Sequence, residues 1–519
     1  MAGALRTGAR DFVGYWSPQL AARVFDPCKS KKPGECRLAN WLYTDQDIAA
    51  FVLPDVVYGE KRGSEIIYTG NVTSSPYRVK GSLEEWRDRV GRPCIGNSRL
   101  AFAVSVAFAP PPLHIVGEES GGFHYKGDSR AGKTTAQRLS GSVWGDGDGV
   151  NGYLKSYRTT SNGLEGVCEE HCDALLCLDE MGQVDAREAG EIVYMIANQG
   201  GKQRASRDGS ARRAKQWRII FLSTGEISLA DKLTEIGRKP RAGQEVRLVD
   251  IPAEAGAGYG IFENLHDAKS PGEFADQLKR ATFECYGTPI RAYLDFVARG
   301  FADDPTGTTA AFRELRDSFI ASYLPDGASG QVRSVCGRFG LVAAAGEFAT
   351  VLGLTGWPDG ESTRAAVTCF NAWLDQRGTI GDHDLEAGIR QVISYIEQYG
   401  ASRFEEVFSD AEYTVSHRVG FRRFDQSTQS WSYFVLPEQW KNELAKVYNP
   451  TALAREMVRR GMIIPQSGKT SASVHLGRHG SVRVYRLAPG IISGDVAKPG
   501  SSGDAAEESW VDRFMRDPP

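Results

Sequence analysis

The pattern of apolar and polar positions changes several times along the chain, and its clearest section lies between residues 123 and 252. Short apolar runs alternate there with stretches of helical periodicity, which is typical of an α/β domain with a mostly parallel sheet. The predicted strands are 123–126, 153–158, 174–178, 217–222 and 246–250. We therefore expect a central sheet flanked by helices in this section.

Helical periodicity dominates on both sides of this section. Three helices are predicted after it, at 333–343, 363–377 and 385–399. Before it, Ser82 and Glu85 have the spacing of a capping box that opens a helix. The apolar run at 100–109 predicts a buried helix that stops at the prolines 110–112.

The pattern changes again between residues 417 and 488. The predicted elements are a hairpin at 421–436, helices at 437–447 and 451–460, and strands at 461–464 and 481–487. A glycine- and serine-rich turn separates the last two strands. Helices followed by a two-stranded wing indicate a winged-helix domain.

With 519 residues, the chain is long enough for several domains. The patterns divide it into an unassigned N-terminal region (1–78), an α/β core (79–300), a helical region (301–404), a winged-helix-like domain (405–488) and a tail (489–519). The tail is rich in glycine, serine, aspartate and proline, and we expect it to be disordered.

Composition narrows the possible partners and location. With 62 Lys and Arg against 65 Asp and Glu, the chain is not a uniformly basic nucleic-acid binder, although local basic patches remain possible. The run at 100–109 is far shorter than the ~20 residues of a membrane span, so we expect no membrane association. Nine scattered cysteines favour reduced thiols and a cytoplasmic location. Cys168 and Cys172 fit the apolar face of a helix better than a metal site with His171.

A phosphate-binding pattern follows the first strand of the α/β section. Residues 127–134 match G-x-x-x-x-G-K-[ST] between a predicted strand and a predicted helix. Backbone N–H groups of such a loop surround phosphates, the lysine contacts the β and γ phosphates, and the threonine hydroxyl binds Mg²⁺. The candidate nucleotide-binding residues are Gly127, Asp128, Ser129, Arg130, Ala131, Gly132, Lys133, Thr134 and Thr135. The sequence therefore predicts a site for ATP and Mg²⁺.

Acidic residues end a second apolar strand. Asp179 and Glu180 follow the run 174–178, and the carboxyl ends of parallel strands meet at one edge of a sheet. Asp179 is the candidate Mg²⁺ ligand, and Glu180 is the candidate for orienting and polarising the attacking water.

The strand predicted at 217–222 ends in Ser223 and Thr224. In P-loop ATPases with the strand order of the AAA+ class, a polar residue here senses the γ-phosphate and holds the attacking water. The usual residue is asparagine. Thr224 is the preferred candidate and Ser223 the alternative.

A basic segment lies between these two strands. Its cations are Lys202, Arg204, Arg207, Arg212, Arg213 and Lys215, and Asp208-Gly209 predicts a tight hairpin turn. Such a density of positive charge favours a hairpin that grips nucleic-acid phosphates without regard to base sequence. A solvated charged hairpin is the alternative interpretation.

Two further arginines are candidates for contact with the nucleotide. Arg247 precedes the last strand, where an arginine can reach a neighbouring subunit's nucleotide and neutralise charge in the transition state. Arg241 is a nearby competitor, and a surface ion pair is the simpler alternative for Arg247. Arg333 opens a helix from which it could contact the γ-phosphate.

Together these motifs resemble a bacterial ATPase domain long catalogued without a function. Some members are minichromosome-maintenance-like helicases of mobile genetic elements. The resemblance covers about 79–404 and is carried by GDSRAGKTT, LDEMGQ, YMIANQGGKQRASRDGSAR, FLSTGEISL, GQEVRLVDIPA and QVRSVCGRFGLVAAAGEFA.

The resemblance implies a P-loop AAA+ core with a helical lid at 301–404. It also implies a ring, expected to be a hexamer, with ATP between subunits and the basic hairpin in a pore around single-stranded DNA. Four residues would act in cis: Lys133, Thr134, Asp179 and Glu180. Arg247 would act in trans, whereas the lid sensor Arg333 could act in either way.

Two functions are compatible with these features. The first is an ATP-driven DNA helicase or translocase that acts on single-stranded or forked DNA in replication of a mobile element. The second is a nucleotide-switched initiator or assembly ATPase that binds DNA without processive unwinding. The N-terminal region contains no recognisable priming motif, so linked priming is not expected.

Overall fold

A computed structural model describes two compact units, Met1–Ile380 and Gly381–Pro519. The described residues are 35–36, 40–43, 49–59, 67–68, 75–147, 152–202, 204–205, 211–212, 214–238, 242–378, 383–407, 415–426, 429–446, 448–466 and 469–492. The tail expected to be disordered lies outside them after residue 492.

The described residues of the N-terminal region, which the sequence left unassigned, form five short strands. They are β1 (Glu35–Cys36), β2 (Asn40–Tyr43), β3 (Ala49–Val52), β4 (Val57–Gly59) and β5 (Ile67–Tyr68). β2, β3 and β4 form an antiparallel sheet, and β1 pairs with β5 in parallel.

The centre of the first unit is a five-stranded parallel sheet. The strands after β5 are β6 (Gly121–Lys126), β7 (Lys155–Ser156), β8 (Leu175–Asp179), β9 (Arg204–Ala205), β10 (Ala211–Arg212), β11 (Ile220–Gly225) and β12 (Leu248–Pro252). β9 and β10 form a separate antiparallel pair, and the others lie in the order β12-β6-β11-β8-β7. All five predicted strands are present, although the one expected at 217–222 is shifted to β11 and the one at 153–158 is reduced to β7.

Thirteen helices are described in the first unit. They are α1 (Leu83–Trp86), α2 (Ser98–Phe108), α3 (Pro110–Val116), α4 (Lys133–Trp144), α5 (Ser161–Glu170), α6 (Ala186–Ala197), α7 (Leu229–Thr234), α8 (Ala242–Glu245), α9 (Pro271–Glu284), α10 (Thr288–Asp303), α11 (Pro305–Tyr323), α12 (Gly330–Val351) and α13 (Glu361–Arg377). The predicted capping box of α1 is present. The three prolines open α3 instead of only ending α2, because the first turn of a helix tolerates proline.

The helices of the 301–377 segment share the hydrophobic core of the sheet. Phe102 of α2 and Phe339 of α12 pack against Phe123 of β6, with ring centroids 4.9 Å and 5.0 Å from that of Phe123. Among the described helices, none is alone long and apolar enough to cross a membrane. Helices α2 and α3 together have the length and apolar composition of a span, but the pair is bent by 59° and is almost entirely buried in this core.

The second unit has its own core and a five-stranded sheet. Its elements are α14 (His383–Tyr399), β13 (Phe404–Glu406), β14 (Gly420–Asp425), β15 (Ser430–Val435), α15 (Pro437–Gln439), a π-helical turn (Trp440–Leu444), α16 (Pro450–Arg459), β16 (Ala472–His475) and β17 (Ser481–Arg486). The strand order is β13-β14-β15-β17-β16. The sequence placed α14 in the helical region, but Ile389, Val392 and Ile396 pack in the core of this unit.

One predicted strand of the wing is wrong. β17 pairs with β16, whereas at 461–464 only Ile463 forms an isolated bridge, to Leu487. The N–H groups of Met462 and Ile463 both donate to the carbonyl of Met457, at 2.8 Å and 3.2 Å. These residues therefore complete the end of α16 instead of starting a strand.

Candidate nucleotide-binding and hydrolysis site

The loop 127–134 lies at the carboxyl edge of the sheet, between β6 and α4. Lys133, the buried first residue of α4, donates from Nζ to the carbonyls of Gly127 and Asp128, at 2.6 Å and 2.7 Å. Gly132 has a φ of +90°, and a Cβ there would lie 2.6 Å from Cγ2 of Ile261. A side chain at Gly132 would thus be both strained and obstructed. The loop therefore curves around the ammonium group. We call residues 127–134 the phosphate loop, after the sequence pattern that they match.

Asp179, Glu180 and Thr224 meet at the same edge. The Thr224 hydroxyl donates to Oδ1 of Asp179 at 2.5 Å, and the Glu180 N–H donates to the Thr224 hydroxyl at 3.4 Å. Glu180 has a φ of +62°, which is uncommon for a residue other than glycine and is often found at functional sites. The order of β6, β11 and β8 places Thr224 between the loop and the acidic pair.

Ser223 belongs to a different hydrogen-bond network. It is fully buried, and its Oγ lies 2.9 Å from Nδ1 of His124 and accepts a hydrogen bond from the Tyr157 hydroxyl at 3.0 Å. Burial lowers the pKa of His124 to about 4, so its imidazole is neutral near pH 7. Successive strand residues point to opposite faces. Of the two residues that the sequence left open, only Thr224 therefore contacts the acidic pair.

A segment that sequence reasoning missed supports the phosphate loop from the side of β12. We call residues 254–260, which contain Gly256, Gly258 and Gly260, the glycine loop. Next to it, the Ala253 N–H donates to the carbonyl of Lys126 at 2.7 Å, and the Ile261 N–H donates to the carbonyl of Ala131 at 2.8 Å. The alternating glycines were a visible signal, but the spacing did not match a known phosphate motif.

Sequence reasoning also missed Lys126 and Asp231, which lie at the carboxyl edge of the sheet. Their side chains form an ion pair with a 2.6 Å distance between Nζ and Oδ2. Partial burial would raise the pKa of Asp231, but hydrogen bonds from Lys126 and Ser228 outweigh it and hold that pKa at about 2. The carboxylate is therefore charged near pH 7 and stays paired with Lys126.

Arg247 lies at the opposite, amino-terminal edge of the sheet. Its carbonyl accepts the N–H of Gly122, at the start of β6, at 2.8 Å. Its Nε donates to Oδ1 of Asn198 at 3.0 Å, and its guanidinium lies 4.6 Å from the centroid of the Tyr194 ring. The six residues of β6 span roughly 17 Å, so Arg247 is remote from the phosphate loop of its own chain. Its competitor Arg241 lies outside the described residues.

Arg333 is exposed in the first turn of α12, and within the described part of the chain its side chain makes no hydrogen bond or ion pair. Arg338, farther along α12, is buried, and its side chain packs against the first residue of β6. Its Nη1 donates to the carbonyl of Val246 at 2.9 Å, and a Cβ at Gly121 would lie 2.2 Å from its Cζ. Burial lowers the pKa of Arg338 to about 10, and the side chain remains charged near pH 7.

The basic segment forms a hairpin, with Arg212 opposite Arg204 in the register of β9 and β10. The two cations at its base are paired with carboxylates: Lys202 with Glu191 at 3.9 Å and Lys215 with Glu169 at 2.7 Å. Arg207, Arg213 and the turn at Asp208-Gly209 lie outside the described residues. Among the described residues, no group of three or more His, Cys, Asp or Glu could hold a metal.

The chain was compared with known protein families, curated proteins and solved structures. Residues 31–216 match the model of a family described as a domain of unknown function, DUF927. No curated protein matches the chain. Among solved structures, one described as "SCCmec type IV Cch - active helicase" is similar, with a TM-score of 0.65 and 16% identity over 88% of this chain and 80% of that one. The chain therefore shares the fold of that protein, which in this chain is an α/β fold with a parallel five-stranded sheet and many helices.

Proposed function

We propose that this chain is an ATP-dependent DNA helicase or translocase that acts as a ring on single-stranded or forked DNA in replication of a mobile genetic element. The observation that carries the proposal is the hydrogen-bonded group of Asp179, Glu180 and Thr224 beside the loop that holds Lys133. The similarity to a solved structure described as an active helicase supports the coupling of this site to DNA.

The residues at the carboxyl edge fit a nucleoside triphosphate with Mg²⁺. The Thr134 hydroxyl and the Asp179 carboxylate are oxygen donors of the kind that Mg²⁺ prefers, and they would hold it. The bound ion would supply charge neutralisation between the phosphates. Lys133 would neutralise the phosphate oxygens, and Glu180 would orient and polarise the attacking water. Thr224 would sense the γ-phosphate while holding Asp179 in place.

The position of Arg247 supports a ring with shared sites. An arginine about one strand length away from its own phosphate loop cannot serve that loop, but it can serve the loop of a neighbour. In a closed ring, each subunit presents different surfaces to its two neighbours, so the carboxyl edge of one chain can face the amino edge of the next. This supports the expected AAA+ assembly, with a hexamer as the proposed ring size.

Unwinding of a forked duplex by the purified chain tests the proposal. We expect ATP-dependent strand separation and an ATPase rate that rises with single-stranded DNA. A chain that unwinds nothing, and whose ATPase ignores single-stranded DNA, would contradict the helicase function.

A nucleotide-switched initiator or assembly ATPase is the second candidate. The separate core of the second unit favours it, because that unit could bind DNA as a winged-helix-like module without translocation. Glu180→Gln distinguishes the two functions in a replication assay of the mobile element. A motor would lose activity with hydrolysis, whereas an initiator that needs only nucleotide binding would keep it.

Replacement of Thr224 should slow hydrolysis without preventing binding. Thr224→Val removes the donor to Asp179 and the acceptor for the Glu180 N–H, and we expect ATP turnover to fall by on the order of 100-fold, as for the loss of one preorganised catalytic hydrogen bond. Steady-state turnover and the Kd for ATP measure the two effects. The matched control is Ser223→Ala, which should cost about 1 kcal/mol of stability through His124 and Tyr157 but retain turnover. Equal turnover in both variants would contradict the assignment.

Replacement of a hairpin arginine should weaken DNA binding in a salt-dependent way. Arg204→Ala removes one phosphate contact, so we expect weaker binding of every single-stranded sequence and a slope of log K against log salt that is shallower by ~0.7. Titrations at several salt concentrations measure this slope. Lys215→Ala is the control, because Lys215 is paired with Glu169 and should change the slope less. An unchanged slope for Arg204→Ala would exclude it as a phosphate contact.

A further inference from the structure

The proposed function fixes the direction in which a bound nucleotide must extend. The residues that would act on the γ-phosphate, Asp179, Glu180 and Thr224, lie at the ends of β8 and β11, on one side of β6. The opposite neighbour of β6 is β12. A nucleotide whose terminal phosphate faces β11 therefore directs its other end toward the segment that follows β12.

The glycine loop occupies this position and is fixed at both ends. At its start, the carbonyls of Pro252 and Glu254 accept hydrogen bonds from the buried Arg99, at 3.2 Å and 3.4 Å. At its end, Gly260 lies against the phosphate loop so closely that a Cβ there would be 2.7 Å from the carbonyl oxygen of Ala131. The Ala255 N–H closes the loop by donating to the carbonyl of Gly260 at 2.9 Å.

The middle of the loop is open and carries one aromatic ring. Gly256 and Gly258 have φ values of +92° and +76°, and a Cβ at either position would meet nothing within 4 Å. Tyr259, between Gly258 and the packed Gly260, leaves 44% of its surface exposed. Much of the ring is therefore accessible for a further contact, and its π face suits a planar heterocycle.

We infer that the glycine loop forms the base subsite of the nucleotide site, with the ring of Tyr259 stacked on the base of the bound nucleoside triphosphate. The inference rests on the proposed function, since it assumes that residues 127–134 hold the phosphates. It adds a binding element outside the phosphate motif and explains why an exposed aromatic side chain stands next to Gly260. The positive φ of Gly256 and Gly258 allows the loop to place the ring without steric cost from its neighbours.

Binding of two probes separates the base from the phosphates. The full chain is titrated with MgATP and with Mg-tripolyphosphate, which has phosphates but no base. Because a base on an aromatic ring gains a stacking contact, Tyr259→Ala should weaken ATP binding on the order of tenfold. Tripolyphosphate binding should stay within about twofold, and Tyr259→Phe, which keeps the ring, should bind both probes like the unmodified chain.

Two controls keep the outcome clear. Phe424→Ala removes another exposed ring, 42% accessible and in the second unit, and should change neither affinity. Lys133→Ala should weaken both probes. Unchanged ATP binding by Tyr259→Ala, or an equal loss for both probes, would overturn the base subsite alone. Failure of the unmodified chain to bind either probe would overturn the proposed function as well.

Discussion

Lys133→Ala should abolish ATP turnover. The buried ammonium group of Lys133 lies within the phosphate loop, where it contacts the carbonyls of Gly127 and Asp128. When phosphates bind, the same group would stabilise the charge that develops at the γ-phosphate, and the loss of one such preorganised donor costs about 100- to 1,000-fold in kcat. Alanine has a high helix propensity and suits the first turn of α4, so the variant should remain folded.

The control for this variant is a second lysine at the same edge. Lys126 ends β6 and is paired with Asp231. Lys126→Ala removes a nearby positive charge of equal size and should reduce turnover only about threefold, in line with a partly screened ion pair. Steady-state ATP hydrolysis by the three proteins at equal concentration measures both effects. Turnover in Lys133→Ala above a tenth of the original rate would contradict the assignment of the loop.

Arg247→Ala should also abolish turnover, although Arg247 is remote from the phosphate loop of its own chain. An arginine supplied from a neighbour neutralises transition-state charge, and its loss costs ~10³-fold or more in comparable reactions. Nucleotide binding should survive, since the residues at the carboxyl edge remain intact. An ATP titration at equilibrium and a turnover assay separate the two effects.

Mixing the two inactive variants tests whether sites are shared. An interface is complete when an Arg247→Ala subunit supplies Lys133 and a Lys133→Ala neighbour supplies Arg247. Random mixing in equal amounts in a ring makes about a quarter of the interfaces complete, so we expect recovery of up to about a quarter of the original turnover. Arg299, an exposed arginine paired with Asp295, is the control: Arg299→Ala should be active without mixing. No recovery in the mixture would contradict the action of Arg247 in trans.

Sequence patterns within a short stretch of the chain were enough to predict the strands of the sheet and the loop after β6. The apolar runs predicted the parallel strands, and the glycine-lysine-threonine pattern predicted the loop between β6 and α4. α12 is apolar on nearly all sides, which indicates burial, but only the folded chain shows that Phe339 packs on Phe123 of the sheet. The sequence could not identify that partner because the contact joins residues far apart in the chain.

Tertiary structure was also needed to decide whether Ser223 or Thr224 contacts the acidic pair Asp179 and Glu180. Strand alternation assigns the two residues to opposite faces, but the sequence does not say which face meets the acidic pair. The hydrogen bonds of His124 and Tyr157 to Ser223 settle the faces in the folded chain. The strand expected at 461–464 is reduced to one bridge because the Met462 N–H donates back to the carbonyl of Met457, whereas the Ile464 N–H still donates to the carbonyl of Arg486.

The hydrogen bond between Asn198 and Arg247 links two parts of the molecule with different tasks. Asn198 caps the end of α6, and the chain then enters the base of the basic hairpin, where the Trp217 N–H donates to the carbonyl of Gln199 at 3.1 Å. The hairpin base and the guanidinium are thus attached to one short segment. Under the proposed function, a pull of DNA on the hairpin would reach Arg247 through the amide of Asn198 and the ring of Tyr194, both in the segment that leads into the hairpin. DNA binding by one subunit would then change the rate of ATP hydrolysis at the site that this subunit shares with its neighbour.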